Sequence, residues 1–231
     1  REVGNFGKGR LFSPIDAFSS VEVTDRDLRL RGSDIVMARF PLGMLAGADI
    51  AVELPFADRT YSSALKVFGT IRNWDVSVVG IYRTAGKQSD TEDEGVLGAA
   101  FKGDLEIGIH GEVVSIFTDV FAEPSWEIML GADYSFNDRV FLLGEYLYRR
   151  EREAGSPWGE HNVFGSVRFT INDLMNLSGT VIHNFEDDLT IGTVQYFYNI
   201  LQNVNTVAYI RGYRGSPLHD LEYAARVEVL F

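Results

Sequence analysis

A chain of 231 residues with no cysteine and a formal net charge of −12 excludes disulfides and thiolate metal sites, and its acidic excess sets nucleic acid aside as a partner. Glycine (23), phenylalanine (16) and tyrosine (10) outweigh proline (6), a strand-type mixture, and no apolar run approaches the ~20 residues of a membrane helix. A mean hydropathy of −0.03 leaves a membrane open all the same, because barrel strands give every second residue to a polar interior.

The chain opens at Arg1 with neither an initiator methionine nor a signal pattern, so if it is exported its signal is expected upstream. Residues 1–33 differ from all that follows. Glycines stand at 4, 7 and 9, and Ser13-Pro14 reads as an N-cap and first helical residue, opening a turn or two of helix through Phe18. Asp25, Arg26, Asp27, Arg29, Arg31 and Asp34 then crowd together, too charged on both faces to meet lipid. Two readings follow: a periplasmic or surface segment, or a plug or constriction inserted in a lumen, where these charges pair with the wall.

From Asp34 onward apolar and polar residues alternate in strand-length segments. The period-two pattern predicts strands over 34–42, 48–56, 62–71, 74–83, 95–102, 104–114, 125–136, 139–150, 161–171, 175–184, 189–200, 204–214 and 220–231. In 104–114, Leu105, Ile107, Ile109, Gly111 and Val113 oppose Glu106, Gly108, His110 and Glu112; in 126–136, Trp126, Ile128, Leu130, Ala132, Tyr134 and Phe136 oppose Glu127, Met129, Gly131, Asp133 and Ser135. Arg72-Asn73, Gly103-Asp104, Asn137-Asp138 and Asn172-Asp173 predict tight turns, and the polar stretches 84–94 and 150–160 predict longer loops between them. Aromatics gather towards strand ends, among them Trp74, Tyr82, Trp126, Tyr134, Tyr146, Phe169 and Tyr196, as interfacial girdles require. A soluble β-sandwich would use the same aromatics in its core, but it would not accommodate the charges on the opposite faces.

The last segment, Leu221 to Phe231, separates its residues most completely. Leu221, Tyr223, Ala225, Val227, Val229 and Phe231 share one face, against Glu222, Ala224, Arg226, Glu228 and Leu230. Apolar at every second position back from a terminal Phe, it resembles the closing strand of bacterial outer-membrane β-barrels. That resemblance implies an all-β fold, a transmembrane antiparallel up-and-down β-barrel of about 12–14 strands, surrounded by outer-membrane lipid and lipopolysaccharide. It also implies that Tyr223, Val227, Val229 and Phe231 form the signal read by the barrel-assembly machinery. Residues 4–43, with a Gly-rich turn, Ser13-Pro14, Arg31 to Asp34 and Pro41 to Gly43, are loosely similar to mid-chain sequence of larger porin-like outer-membrane proteins. Residues 34–231 then form the barrel, or the C-terminal part of a longer one, an option that the odd number of segments favours.

Catalytic patterns are scarce. His219-Asp220 lies at an external loop, where omptin-like proteases carry an Asp-His pair, but a matching acidic pair is not evident. None of His110, His161, His183 and His219 has the serine that a phospholipase dyad needs. His110 with Glu106 and Glu112 spreads over ~20 Å of strand, too far for one ion. No enzyme, cofactor or metal is therefore expected. The charged faces instead predict lumen-lining residues: His110 with acids Glu106, Glu112, Glu127, Asp133 and Glu145 on consecutive strands, and Arg168, Arg211, Arg226 and Arg39 on the strands that follow and wrap round. Such walls either select small polar solutes passing through a porin-like channel by diffusion, or pair across a narrow lumen and fill it. The alternative is a non-transporting barrel that anchors or assembles with other envelope proteins or with copies of itself.

Overall fold

The computed structural model describes residues 6–16, 19–21, 30–32, 34–53, 61–84, 93–118, 124–150, 159–201, 204–215 and 219–229, with 19–21, 30–32, 201 and 219–229 described by their backbone alone. Two short strands, β1 (Ser19–Val21) and β2 (Leu30–Gly32), pair antiparallel with each other. No period-two pattern announces this pair, since neither strand is longer than three residues.

The other thirteen strands form a single antiparallel up-and-down sheet in which each lies beside its neighbour in sequence. First come β3 (Ile35–Pro41), β4 (Ala46–Glu53), β5 (Ser62–Ile71), β6 (Trp74–Arg83) and β7 (Glu94–Asp104). Next are β8 (Gly108–Phe117), β9 (Ser125–Phe136), β10 (Val140–Arg150) and β11 (Glu160–Asn172). The last are β12 (Met175–Asn184), β13 (Leu189–Leu201), β14 (Val204–Arg214) and β15 (His219–Val229). Every segment predicted from alternation overlaps one of these strands, and among the described residues there is no helix.

Connections alternate in length, as the turn residues predict. At one end they span 42–45, 72–73, 105–107, 137–139, 173–174 and 202–203; at the other, 54–61, 84–93, 118–124, 151–159, 185–188 and 215–218. Asn137 and Asp138 both take positive φ, 50° and 53°, the backbone of a tight type I′ hairpin, and Arg72 takes φ 59° at the first position of its two-residue turn.

Two expectations are corrected. The turn predicted at Gly103-Asp104 falls instead at 105–107, because Trp74 stands opposite Gly103 and lays its ring where a Cβ would come within 2.5 Å, keeping β7 paired with β6 through that position. The helix predicted from Ser13 is a single turn at Pro14 and Ile15, closed by the Asp16 N–H donating to the Ser13 carbonyl at 3.0 Å; residues 17–18 lie outside the described set.

The chain divides into two compact units, Arg1–Leu105 with Ile109–Leu130 and Leu147–Gly159, and Glu106–Gly108 with Gly131–Tyr146 and Glu160–Phe231. In the first, a buried cluster of Phe6, Ile15, Ala51, Ala64, Val79, Ile81, Val96, Ala100 and Val114 sits on one face of the sheet. In the second, Phe164, Ile182 and Ile191 stand opposite one another in register across β11, β12 and β13, all buried.

The other face of each unit is exposed and apolar. Leu65, Val67, Val78, Leu97, Ile128 and Leu130 show it in the first unit, and Leu142, Val167, Val181, Val194 and Ile210 in the second. On that parity, from β3 through β14, no Asp, Glu, Lys or Arg stands within a strand; Arg150 and Arg214 are the terminal residues of β10 and β14. In the second unit this face is a checkerboard. Gly165 pairs with Val181 and Val181 with Gly192, while Val167 pairs with Gly179 and Gly179 with Val194, under a shallow hollow of about 610 Å³.

An L-residue in the left-handed region costs about 1–2 kcal/mol, and glycine loses about 0.5–1 kcal/mol through chain entropy. Arg72→Gly is therefore expected to stabilise the protein by about 0.5–1 kcal/mol, read as a higher urea midpoint.

Candidate functional site

Inside its strands the charges of the first unit, Arg150 at the end of β10 apart, lie on the face opposite the apolar one, and a segment of the chain is seated there. Arg39 grips Asp49 across the β3–β4 hairpin with two bonds, Nε to Oδ1 at 2.7 Å and an Nη to Oδ2 at 2.9 Å. Asp49 is 4% exposed whereas the Arg39 side chain is 63% exposed, so the arginine neutralises a buried acid from the rim. Lys66, opposite Asp49 in register, donates its Nζ to the Phe6 carbonyl at 2.9 Å and lies 5.5 Å from the centre of the Phe6 ring.

Glu112 is the centre of this site. It projects from β8 onto the cluster-bearing face and is 2% exposed. Its Oε1 accepts from the backbone N–H of Lys8 and of Gly9, the latter at 2.9 Å. The Ser13 hydroxyl lies 3.1 and 3.2 Å from the two carboxylate oxygens, and the Ile15 N–H donates to Oε2 at 3.1 Å. Residues 7–15 thus curl round one carboxylate, a backbone anion nest with a hydroxyl added. Only glycine permits the curl, because a Cβ on Gly7 would fall 1.7 Å from the Ser13 Oγ, and one on Gly9 1.7 Å from the Phe12 carbonyl oxygen. Ser13, expected to cap a helix, is spent on Glu112 instead.

Ile15, fully buried, anchors the far side of the curl. It rests over Gly98, where a Cβ would approach its Cγ1 to 2.8 Å, and beside Val114 of the same cluster. On the same face Glu127, its side chain 12% exposed, accepts from Arg149 Nε at 2.7 Å, and His110 is buried at 2% exposure.

In the second unit Arg211, 1% exposed, donates its Nε to the Thr193 hydroxyl at 3.1 Å and an Nη to the Tyr213 hydroxyl at 3.4 Å. Glu222 stands opposite it in register. Glu145 is likewise buried. Asp133 is half-buried against Gly108, where a Cβ would sit 2.7 Å from its oxygens. Arg168 is exposed, its guanidinium 5.3 Å from the centre of the Phe141 ring.

Glu106, expected on a strand face, lies exposed in the 105–107 connection; β8 begins only at Gly108. Arg226 stands opposite Val207, and Tyr223, Val227 and Val229 of the expected assembly signal stand opposite Ile210, Thr206 and Val204. Phe231, with Asp25, Arg26, Asp27 and Arg29, lies outside the described residues.

Asp49, Lys66 and Arg149 are absent from the sequence-predicted set. Asp49 was within reach, since it shares the parity of Ala51 in an alternating segment. An inserted segment was one of the two readings of residues 1–33; its seat on Glu112, a long-range contact, left no local signal. Among the described residues no group of three or more His, Cys, Asp or Glu side chains could hold a metal ion. Compared with protein-family models and with curated proteins, the chain matches none.

Gly98→Val is expected to push Ile15 off the sheet. Overpacking of this kind costs about 1–3 kcal/mol, so trypsin cleavage after Lys8 and Arg10 should accelerate by about tenfold or more while the sheet keeps its β-type circular dichroism.

Proposed function

We propose that the chain forms a bacterial outer-membrane β-barrel, closed by its edge strands or completed by a longer chain, and that it acts as a porin-like channel for passive diffusion of small polar solutes. The observation that carries this reading is that the exposed face of each unit bears no charge inside its strands from β3 to β14, Arg150 and Arg214 standing at strand ends. Water gives no reason for such a face, whereas hydrocarbon penalises each charge placed on it. Large aromatics add to this. Tyr82, Trp126 and Tyr146 lie towards the long-connection end of the exposed face and Phe136 and Phe169 towards the short-turn end, the arrangement of two interfacial girdles.

On this reading the charges of the opposite face line a lumen. Glu112, Glu127, Asp133, Glu145, His110, Arg39, Arg168, Arg211 and Arg226 set its polarity, and β15 carries the strand recognised by the assembly machinery. Lipid and lipopolysaccharide surround the barrel. The seat of residues 6–16 on the charged face supports a second reading, a barrel filled by its own chain that anchors or assembles with other envelope proteins.

Detergent-refolded protein is expected to migrate differently with and without heating and to conduct ions in planar bilayers. A heat-dependent shift without conductance favours the filled, non-transporting barrel; no shift at all refutes the barrel. Arg168→Glu replaces a cation by an anion and is expected to move the reversal potential towards cation selectivity in a salt gradient. Val78→Arg, in the middle of the exposed face of β6, is expected to destabilise the bilayer-inserted protein by about 2–4 kcal/mol, measured by denaturant unfolding from vesicles.

A further inference from the structure

We infer that residues 6–16 are a releasable plug and that Glu112 is its latch. Three backbone N–H groups and one hydroxyl from a single stretch of chain converge on this one carboxylate, and both of its oxygens are used. A filler needs only shape, and an apolar residue at 112, on the face that carries the buried cluster, would supply it. A carboxylate among such neighbours is costly unless it is fully partnered. With the segment seated, the partners are the nest of residues 7–15; with the segment away, water replaces them on Glu112 and on the freed N–H groups alike. Both states satisfy every one of these polar groups, and both can be populated.

The apolar anchors set the balance. Ile15 over Gly98 and Phe6 beneath the Lys66 ammonium return the segment to its seat, while Gly7 and Gly9 give the chain the freedom to leave the curl and reform it. The wall therefore carries its own anionic ligand for the loop. Removing that ligand biases the segment towards the unseated state, and the aperture follows on the channel reading, on which this consequence rests.

The chain has no cysteine, so Ile15→Cys introduces a single thiol, at a fully buried position. Its reaction with a charged maleimide, on folded protein in detergent and in vesicles, reports release without reference to transport. Adding Glu112→Ala to this variant is expected to speed labelling on the order of ten- to a hundredfold, and acetate, by filling the nest in place of the lost carboxylate, is expected to slow it again. Bilayer conductance of the Glu112→Ala protein with Ile15 intact is expected to rise above that of the parent. An unchanged labelling rate overturns the latch whatever the conductance does. Faster labelling without conductance upholds the latch and overturns the channel. Should Glu112→Ala fail to show a folded, heat-modifiable band, Ser13→Ala, which removes one hydroxyl from the segment side, decides the question: faster labelling supports the latch and an unchanged rate refutes it.

Discussion

A sheet that keeps one face free of formal charge must carry its charges on the other, and the polar architecture of this protein follows from that segregation. Period-two geometry permits no compromise, because a one-residue slip in any strand would exchange the faces. Charges confined to a partly buried face must then find partners there. Asp49 finds Arg39 across its own hairpin, Glu127 finds Arg149, and Arg211 binds the hydroxyls of Thr193 and Tyr213. Glu112 is answered differently. Its hydrogen-bond donors are neutral backbone groups and a serine, drawn from nearly a hundred residues earlier in the chain.

That difference matters for mechanism. An arginine on a neighbouring strand is held by the same ladder as its acid, so the pair is fixed once the sheet forms. A nest contributed by a loop is held only by its contacts with the wall, and the strength of those contacts decides where the loop rests. Sequence, through Gly7, Gly9 and Ser13, sets the shape of the curl; packing, through Ile15 and Gly98, sets its position; and the curl in that position covers the carboxylate of Glu112.

Most of the sheet was legible in the sequence because its cause is local. Alternation in 126–136 places most of the apolar residues on one side whatever the strand pairs with, and Asn137-Asp138 supplies the backbone that a tight turn needs. Failures arose where a distant residue overrode a local signal. Gly103-Asp104 has turn composition, yet the Trp74 ring requires that glycine inside β7, and Leu105 to Ile107, which look like the continuation of a strand, become the connection. Ser13-Pro14 has the composition of a helix start, yet Glu112 takes the hydroxyl that would have capped it. Charge type and face were readable for Glu112 and Glu145; which partner each would take was not, because partner choice depends on strand register and on chain returning from elsewhere.

The alternation of valine and glycine on the exposed face of the second unit bears on what that surface tolerates as a neighbour. With Gly165, Gly179 and Gly192 set diagonally among Val167, Val181 and Val194, the surface is dimpled on the scale of a methyl group. A rigid second sheet laid on it would touch the valine methyls and leave empty space above each glycine, losing dispersion contact at every gap. Hydrocarbon chains in the liquid state bend into such hollows and lose nothing. Roughness therefore makes this face selective for fluid surroundings over solid ones, and resists the stacking that an equally apolar but smooth sheet would invite.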